Sequence, residues 1–400
     1  MSISGTKEQS ALRASLAPLY IANLVCSMSM MGFVTLAGPL ADTLGLEAWH
    51  IGLSATAGGL GWVLTARAWG GAADRIGRKP VLVYGLAGFA TAYFALCLVV
   101  QAGSAWGLSA TATVVGLVAT RFTAGLGYSA LPAAGGALIA DRYTAEDRTG
   151  AMGRLGAAQA SGLLLGPGLV ALIAGPSPVT TLFLLALMPL FALGFLVYAL
   201  PKDGKTDGSV VPPLPITDAR LLRPIAIALC AMVAIGIAQI VVGFSAIDRL
   251  DLSGGEAARV AGLALVAVAV ALIVAQMIVG KLGWPPRRLI LVGGLQSAFG
   301  LLCAGFAEAS PTLILAYAIG GFGAGWVMPA ISAAAANAVE ANEQGRAAGS
   351  VSTALGIGAM IGPFLGGLAY ASSGTAPYLI AAVFMVVAAL VGSRLPLMED

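Results

Sequence analysis

Charge inside an apolar run is the first feature of this chain that could do chemistry. Arg121 stands within Thr111–Ala137 and Arg67 within Ile51–Ala73, two stretches otherwise almost devoid of ionisable groups. An arginine at the centre of a membrane costs at least about 2.5 kcal/mol by insertion scales, so it marks a function by default. It keeps its charge at any physiological pH and cannot itself carry a proton. What it can do is bind an anionic group through its planar fork, or tune a nearby acid. Arg67 lies about 10 Å deep relative to Asp74 at about 1.5 Å of rise per residue. It either snorkels to the surface or meets an anion.

A second group is Gly70-Gly71-Ala72-Ala73-Asp74-Arg75-Ile76-Gly77-Arg78-Lys79, one carboxylate among three cations. Gly70 predicts a close helix contact and Gly77 a tight reversal. Asp74 is placed to face the positive N-terminus of another helix. A third group is built of small residues: Gly153, Gly162, Gly166 and Pro167, then Gly349, Gly358, Gly362, Pro363, Gly366 and Gly367. Glycines at such spacing predict a smooth, bendable seam between the halves of the chain.

Other chemistries find no residues. Cys26, Cys97, Cys230 and Cys303 all lie in apolar stretches without a close pair, and read as buried, inert thiols. The single His50 reads as a surface residue of an outer loop. No nucleotide motif, Walker sequence, metal cluster or nucleophile–base pair is present. The expectation is therefore no enzyme, no cofactor, no metal and no ATP-driven pump.

The elements that must position these residues follow from composition. Of 400 residues, 58% are hydrophobic and 10% charged, and the mean hydropathy is +0.92. A soluble domain carries about 25% charged residues to wet its surface. Lipid must therefore be the solvent here, and soluble enzymes, disordered chains and disulfide scaffolds are excluded. The 54 glycines suit close helix approach in a membrane. A net charge of +3 is too small to suggest nucleic acid.

A spanning helix needs about 20 mainly apolar residues. Twelve runs qualify: Leu16–Leu40, Ile51–Ala73, Val81–Gln101, Thr111–Ala137, Leu155–Ala174, Val179–Leu200, Pro224–Ile247, Ala257–Gly280, Leu289–Ala307, Thr312–Ala336, Ala347–Ala371 and Pro377–Val391. The expected fold is all-α, with two six-helix bundles at 1–200 and 224–400 and a Pro-containing cytoplasmic linker at 201–223. Most of the 21 Lys and Arg fall on the side of the termini; Arg249 and Arg259 fall outside. By the positive-inside rule both termini are cytoplasmic. Shifting the sequence by 196 residues lays Gly125 on Gly321, Gly162 on Gly358, Gly166 on Gly362 and Pro167 on Pro363. Two halves in the same orientation form a parallel repeat, with substrate expected near the midplane.

The loop decapeptide fits G-x3-D-[RK]-x-G-R-[RK], and on that basis the chain resembles the major facilitator superfamily. Arg121–Gly125 is similar to the family's R-x-x-x-G signature, associated with proton-coupled members. Span five resembles its "antiporter" signature, G-x8-G-x3-G-P, which marks exporters, though the final Gly-Gly pair is complete only in span eleven. The resemblance implies that Asp74 latches to the start of span eleven at Ala347, and that Arg78 pairs with Asp141. It implies a cavity lined by spans one, four, seven and ten, hence by Asn23, Met30, Phe33, Arg121, Tyr128, Gln239, Phe244, Tyr317 and Trp326, with Gln159 beside them. Arg75 and Lys79 complete the latch.

All 18 acids fall in loops or at helix ends on this map. An arginine-lined cavity without acids favours anionic or neutral substrates. The resemblance therefore implies a monomeric, multi-pass transporter of the cytoplasmic membrane that exports drug-like compounds or metabolites in exchange for protons. Proton carriers would be the acids at helix ends: Asp42, Asp74 and Asp141. An uptake symporter for an organic acid or sugar is the alternative, and a non-transporting sensor or scaffold a further one.

Overall fold

The computed structural model describes residues 16–143, 145–175, 177–201, 218–340 and 343–395. Most of the expected linker lies outside the described residues, as do Lys7, Arg13, Lys202 and Lys205. The described chain is helical throughout: α1 (Ala17–Thr35), α2 (Ala37–Leu44), α3 (Ala48–Ile76), α4 (Arg78–Ala105), α5 (Ala110–Tyr128), α6 (Ala130–Arg142), α7 (Ala145–Ile173), α8 (Pro178–Ala199), α9 (Leu222–Asp248), α10 (Gly254–Leu282), α11 (Pro286–Gly305), α12 (Ser310–Asn337), α13 (Gln344–Tyr370) and α14 (Ala376–Gly392).

Among the described residues ten segments are long and apolar enough to cross a membrane, α5 and α6 counting as one. The remaining two of the twelve expected spans are α3, which is 29 residues long but diluted by glycine and alanine, and α14, apolar but 17 residues long. Several boundaries move outward from those expected. Span one breaks near Leu36 into α1 and α2, and span five starts ten residues early, at Ala145. Polar residues at a helix start satisfy its leading amide groups without adding to the apolar run, so a helix can extend past the run that sequence inspection detects. Ser253 and Glu256 do this for α10 as a capping box, with Ser253 N–H donating to Glu256 Oε2 at 3.1 Å. His50, expected in a loop, sits in the first turn of α3, where its Nδ1 accepts the Glu47 N–H at 3.1 Å.

Packing divides the chain into two units. The first comprises Met1–Phe33, Leu60–Leu169 and Val179–Ser209. Its core includes Phe89, Tyr93, Leu86 and Leu19, all fully buried. Glycines let its helices touch. A Cβ on Gly127 of α5 would meet Gly85 O of α4 at 2.6 Å. The second comprises Val34–Gly59, Val170–Pro178 and Val210–Asp400, with Tyr378, Ile237 and Ile331 in its core. Gly323, the repeat partner of Gly127, abuts Gly293 and Ser297 of α11 in the same manner.

The packing boundary differs from the boundary expected from connectivity, because α2 and the start of α3 belong to the second unit. Gly38 faces the backbone of Gly243 and Phe244 on α9, and Gly52 faces Pro363 O on α13. Thr56 Oγ1 donates to Met360 O at 2.5 Å. Side chains at 38 or 52 would hold these backbones apart.

Many large apolar side chains point outward, among them Phe191 at 75% and Met277 at 71% exposure. A soluble monomer rarely tolerates such patches; on a spanning helix they are the surface that lipid wets. Two of the four thiols expected to be buried are not: Cys230 and Cys303 are half-buried, while Cys26 and Cys97 are enclosed. An apolar neighbourhood in sequence puts a cysteine on a spanning helix, but not on its packed face.

Candidate functional site

In the first unit the candidate site is centred on Arg121, on the inner face of α5 with 2% of its surface exposed. Its guanidinium lies 4.4 Å from the centre of the Phe33 ring, and Nη1 is 3.1 Å from Met30 Sδ. Both partners come from α1, and both are soft and neutral. Nε is buried and has no hydrogen-bond partner among the described residues. No ion pair involving Arg121 occurs among the described residues. The group is thus a buried positive charge held by a ring face and a sulfur, with hydrogen-bonding capacity to spare.

A polar chain joins α1, α5 and α7. Ser27 Oγ and Tyr128 Oη are 3.0 Å apart, and Gln159 Nε2 donates to Tyr128 Oη at 3.3 Å. Phe89 and Trp62 flank the Tyr128 ring at 5.9 and 6.1 Å. Asn23 is buried and donates to Leu19 O of its own helix at 3.0 Å, so its amide is partly occupied. Ser27 was not among the expected residues. It lies one turn after Asn23 on the same helical face, and that spacing could have revealed it.

The second unit holds an apolar cavity of about 130 Å³ lined by Gln239, Tyr317, Ser297, Leu265, Val268 and Met385, among others. The Tyr317 hydroxyl is engaged inward, donating to Ala238 O at 2.7 Å and lying 3.2 Å from Tyr378 Oη. Tyr378 Oη in turn donates to Ser245 Oγ at 2.9 Å. Tyr317 therefore offers the cavity its ring, and its polar end holds α12 against α9 and α14.

Two residues expected with them lie apart. Phe244 is five residues beyond Gln239, about 7.5 Å along the helix. It packs on Tyr370 at 5.5 Å and borders a different cavity, with Asp42, Glu47 and Asp248. Trp326 packs edge-on against Phe322 at 5.3 Å and Trp284 at 5.5 Å, outside the lining of the Gln239 cavity.

The loop cluster is built around Gly77, whose φ of 98° lets α3 end at Ile76 and α4 begin at Arg78. Arg78 is 3% exposed and pairs with both Asp74, one turn back, and Asp141 at 2.9 Å on α6. Lys79 donates to Val197 O at 2.8 Å and to Leu200 O, closing the C-terminal end of α8. That contact was not foreseen, because nothing in the loop sequence names its distant partner. Arg75 and Arg67 are exposed. Gly70, expected at a helix contact, has nothing within 4 Å of where a Cβ would stand, because that stretch of α3 lies on the surface of the first unit.

The match to known proteins covers this whole framework. Residues 19–283 and 228–398 match the Major Facilitator Superfamily. The chain belongs to that superfamily. The tetracycline resistance protein, class C, of Escherichia coli is 28% identical over 78% of this chain and 77% of its own length. Among solved structures, the nucleoside transporter NupG superposes with a TM-score of 0.74 at 14% identity, covering 94% of this chain and 98% of that one. A bacterial homologue of the human lysosomal transporter Spinster, inward-facing and unoccupied, gives 0.73 at 14% identity, over 96% of each chain. The human organic anion transporter TETRAN gives 0.62 at 16%, over 95% of this chain and 99% of that one. These likenesses establish the major facilitator fold.

Within that fold the glycine motifs have a definite place, and it differs from the seam expected between the halves. A Cβ on Gly166 of α7 would stand 2.5 Å from Met28 O on α1, and Gly162 abuts Leu24 O and Ser27. Gly362 of α13 abuts Val233 O and Gly236 on α9, and Gly358 abuts Leu229 and Met232. These contacts fasten α7 to α1 and α13 to α9, each within one half. Pro167 and Pro363 each lie inside their helix just after these glycines. Within the second unit α13 also meets the start of α3, through the Pro363 carbonyl and Gly367 against Gly52, Ala48 and Trp49.

Proposed function

We propose that this superfamily member exports small organic molecules of anionic or neutral character by alternating access, in exchange for protons. The observation that carries the substrate class is Arg121. A fixed positive charge, held by Phe33 and Met30 and with Nε unpartnered among the described residues, is built to receive an anion or a strong acceptor. The span-five glycines and the similarity to the Escherichia coli tetracycline resistance protein support export of a drug-like compound.

In this reading Arg121, Tyr128 and Gln159 are the polar contacts of the first half, with Asn23, Met30 and Phe33 around them. Gln239 and the Tyr317 ring are the contacts of the second. Asp74, Arg78 and Asp141 hold the latch, the residues near 1–200 and 224–400 act as two six-helix bundles, and both termini face the cytoplasm. Protons are carried by acids at helix ends, since the spans offer none at depth. The protein works as a monomer.

Everted membrane vesicles energised by a proton gradient test the proposal. Uptake of anionic and neutral compounds, lost in Arg121→Ala protein that is folded and inserted, is the expected result. Transport of lipophilic cations with no effect of Arg121 substitution overturns it.

A further inference from the structure

We propose that a basic pocket at the linker-side ends of α9, α11 and α12 binds the headgroup of an anionic phospholipid. The pocket has a volume of about 730 Å³ and is lined by Arg220, Arg223, Arg287, Leu222, Pro286 and Leu395, among others. That volume accommodates a glycerophosphate group with room for the first methylenes of its chains.

The charges of the lining are not equivalent. Arg220 is committed, donating to Asp218 Oδ2 at 2.9 Å and to Glu343 Oε2 at 2.7 Å. This clamp fixes one wall and leaves little charge over. Arg223 is exposed, Arg287 half-buried, and neither takes part in an ion pair among the described residues. Two guanidinium forks on one pocket suit a phosphodiester, whose two non-bridging oxygens share a delocalised negative charge. The helices beginning at Leu222 and Pro286 direct their positive ends to the same place, two against the single negative end of α12 at Asn337.

A lipid suits the site better than a free phosphate for two reasons. Apart from Asn337, the lining between the arginines is proline, leucine and alanine, which offers apolar surface to a glycerol backbone and little to an inorganic ion. Beside the pocket, the Arg288 guanidinium lies 4.1 Å from the centre of the Trp284 ring, and Leu222 stands 51% exposed. Tryptophan and arginine at a span end mark the headgroup level of a bilayer. The excess of basic residues makes this the cytoplasmic leaflet, where anionic lipids attract basic segments.

The test uses the purified full chain in uncharged detergent, with the thermal unfolding midpoint followed against three additives: short-chain phosphatidylglycerol, phosphatidylcholine of equal chain length, and inorganic phosphate. Saturable stabilisation by phosphatidylglycerol alone is expected. Arg223→Gln and Arg287→Gln should each raise the half-saturating concentration about fivefold, and the double variant about thirtyfold. Arg259→Gln, at the opposite membrane face, should leave it unchanged. Equal stabilisation by phosphatidylcholine overturns the proposal, as does an equal loss in Arg259→Gln. Phosphate matching phosphatidylglycerol, with the same dependence on the two arginines, overturns the lipid assignment in favour of a small-anion site. If the double variant does not fold, the wild-type contrast between the two lipids decides the matter.

Discussion

Phe33 presents its ring face to Arg121, with 4.4 Å between the guanidinium carbon and the ring centre. The pair joins α1 to α5 and replaces the carboxylate that usually accompanies a buried arginine. A cation over a ring is worth about 0.5–2 kcal/mol, well below the cost of burying the charge, so the surplus demands another partner. Arg121→Lys should lower transport at least about tenfold in folded protein, because a compact ammonium cannot reproduce a bidentate fork. Phe33→Leu should be milder, about threefold to thirtyfold, since it removes only the ring contact. Vesicle transport normalised to inserted protein measures both. Full activity in Arg121→Lys would remove the fork from the mechanism.

Arg78 is buried between Asp74 and Asp141, so the three residues form one electrostatic unit. Arg78→Ala leaves two carboxylates facing each other and should destabilise the first half by about 2 kcal/mol, less than a fully buried pair because the acids are 29% and 24% exposed. Asp74→Asn keeps a hydrogen-bond acceptor and should impair transport without blocking insertion. A double-mutant cycle on Asp74 and Asp141, read by thermal unfolding, should give a coupling near 1 kcal/mol. Additive effects would show that the two acids do not act through Arg78.

The two glycine motifs predict a loss of stability rather than a conformational block. Gly166→Leu drives a side chain into Met28 O, and Gly362→Leu drives one into Val233 O and Gly236. Overpacking of this kind costs about 1–3 kcal/mol or more. Both variants should unfold at lower temperature, and accessibility labelling should show no accumulation of one state. A variant of unchanged stability, arrested in a single state, would return these glycines to an interface between the halves.

Arg220 holds Asp218 and Glu343 below the ordinary carboxylate range by hydrogen bonding to both. Groups with a depressed folded-state pKa lend stability above their unfolded value, near about 4, and lose it as pH falls through the folded one. The tie between the end of the linker and the start of α13 should therefore be intact at neutral pH and weaken in acid. Glu343→Gln should flatten that part of the midpoint–pH curve. An identical curve for wild type and variant would show that the tie contributes nothing.

The class of protein was legible in the residues alone. A chain this apolar must bury its backbone polar groups in helices, and so runs of about 20 apolar residues report spans directly. Repeat spacing and the Gly70–Lys79 decapeptide carried the family, since both are local patterns. Arg121 stood out for the same reason, a charge where lipid forbids one. What sequence could not reach was partnership. Nothing local says that Lys79 closes α8, that Ser27 and Gln159 meet at Tyr128, or that Tyr317 spends its hydroxyl on Ala238 and Tyr378. Phe244 and Gln239 share a helix, yet they open onto different cavities because a five-residue step both rises along the helix and turns around it. The glycine motifs were readable as close contacts, but which backbone each one touches depends on how the helices pack. Tertiary structure decided that α7 lies on α1, that α13 lies on α9, and that the start of α3 joins the second unit.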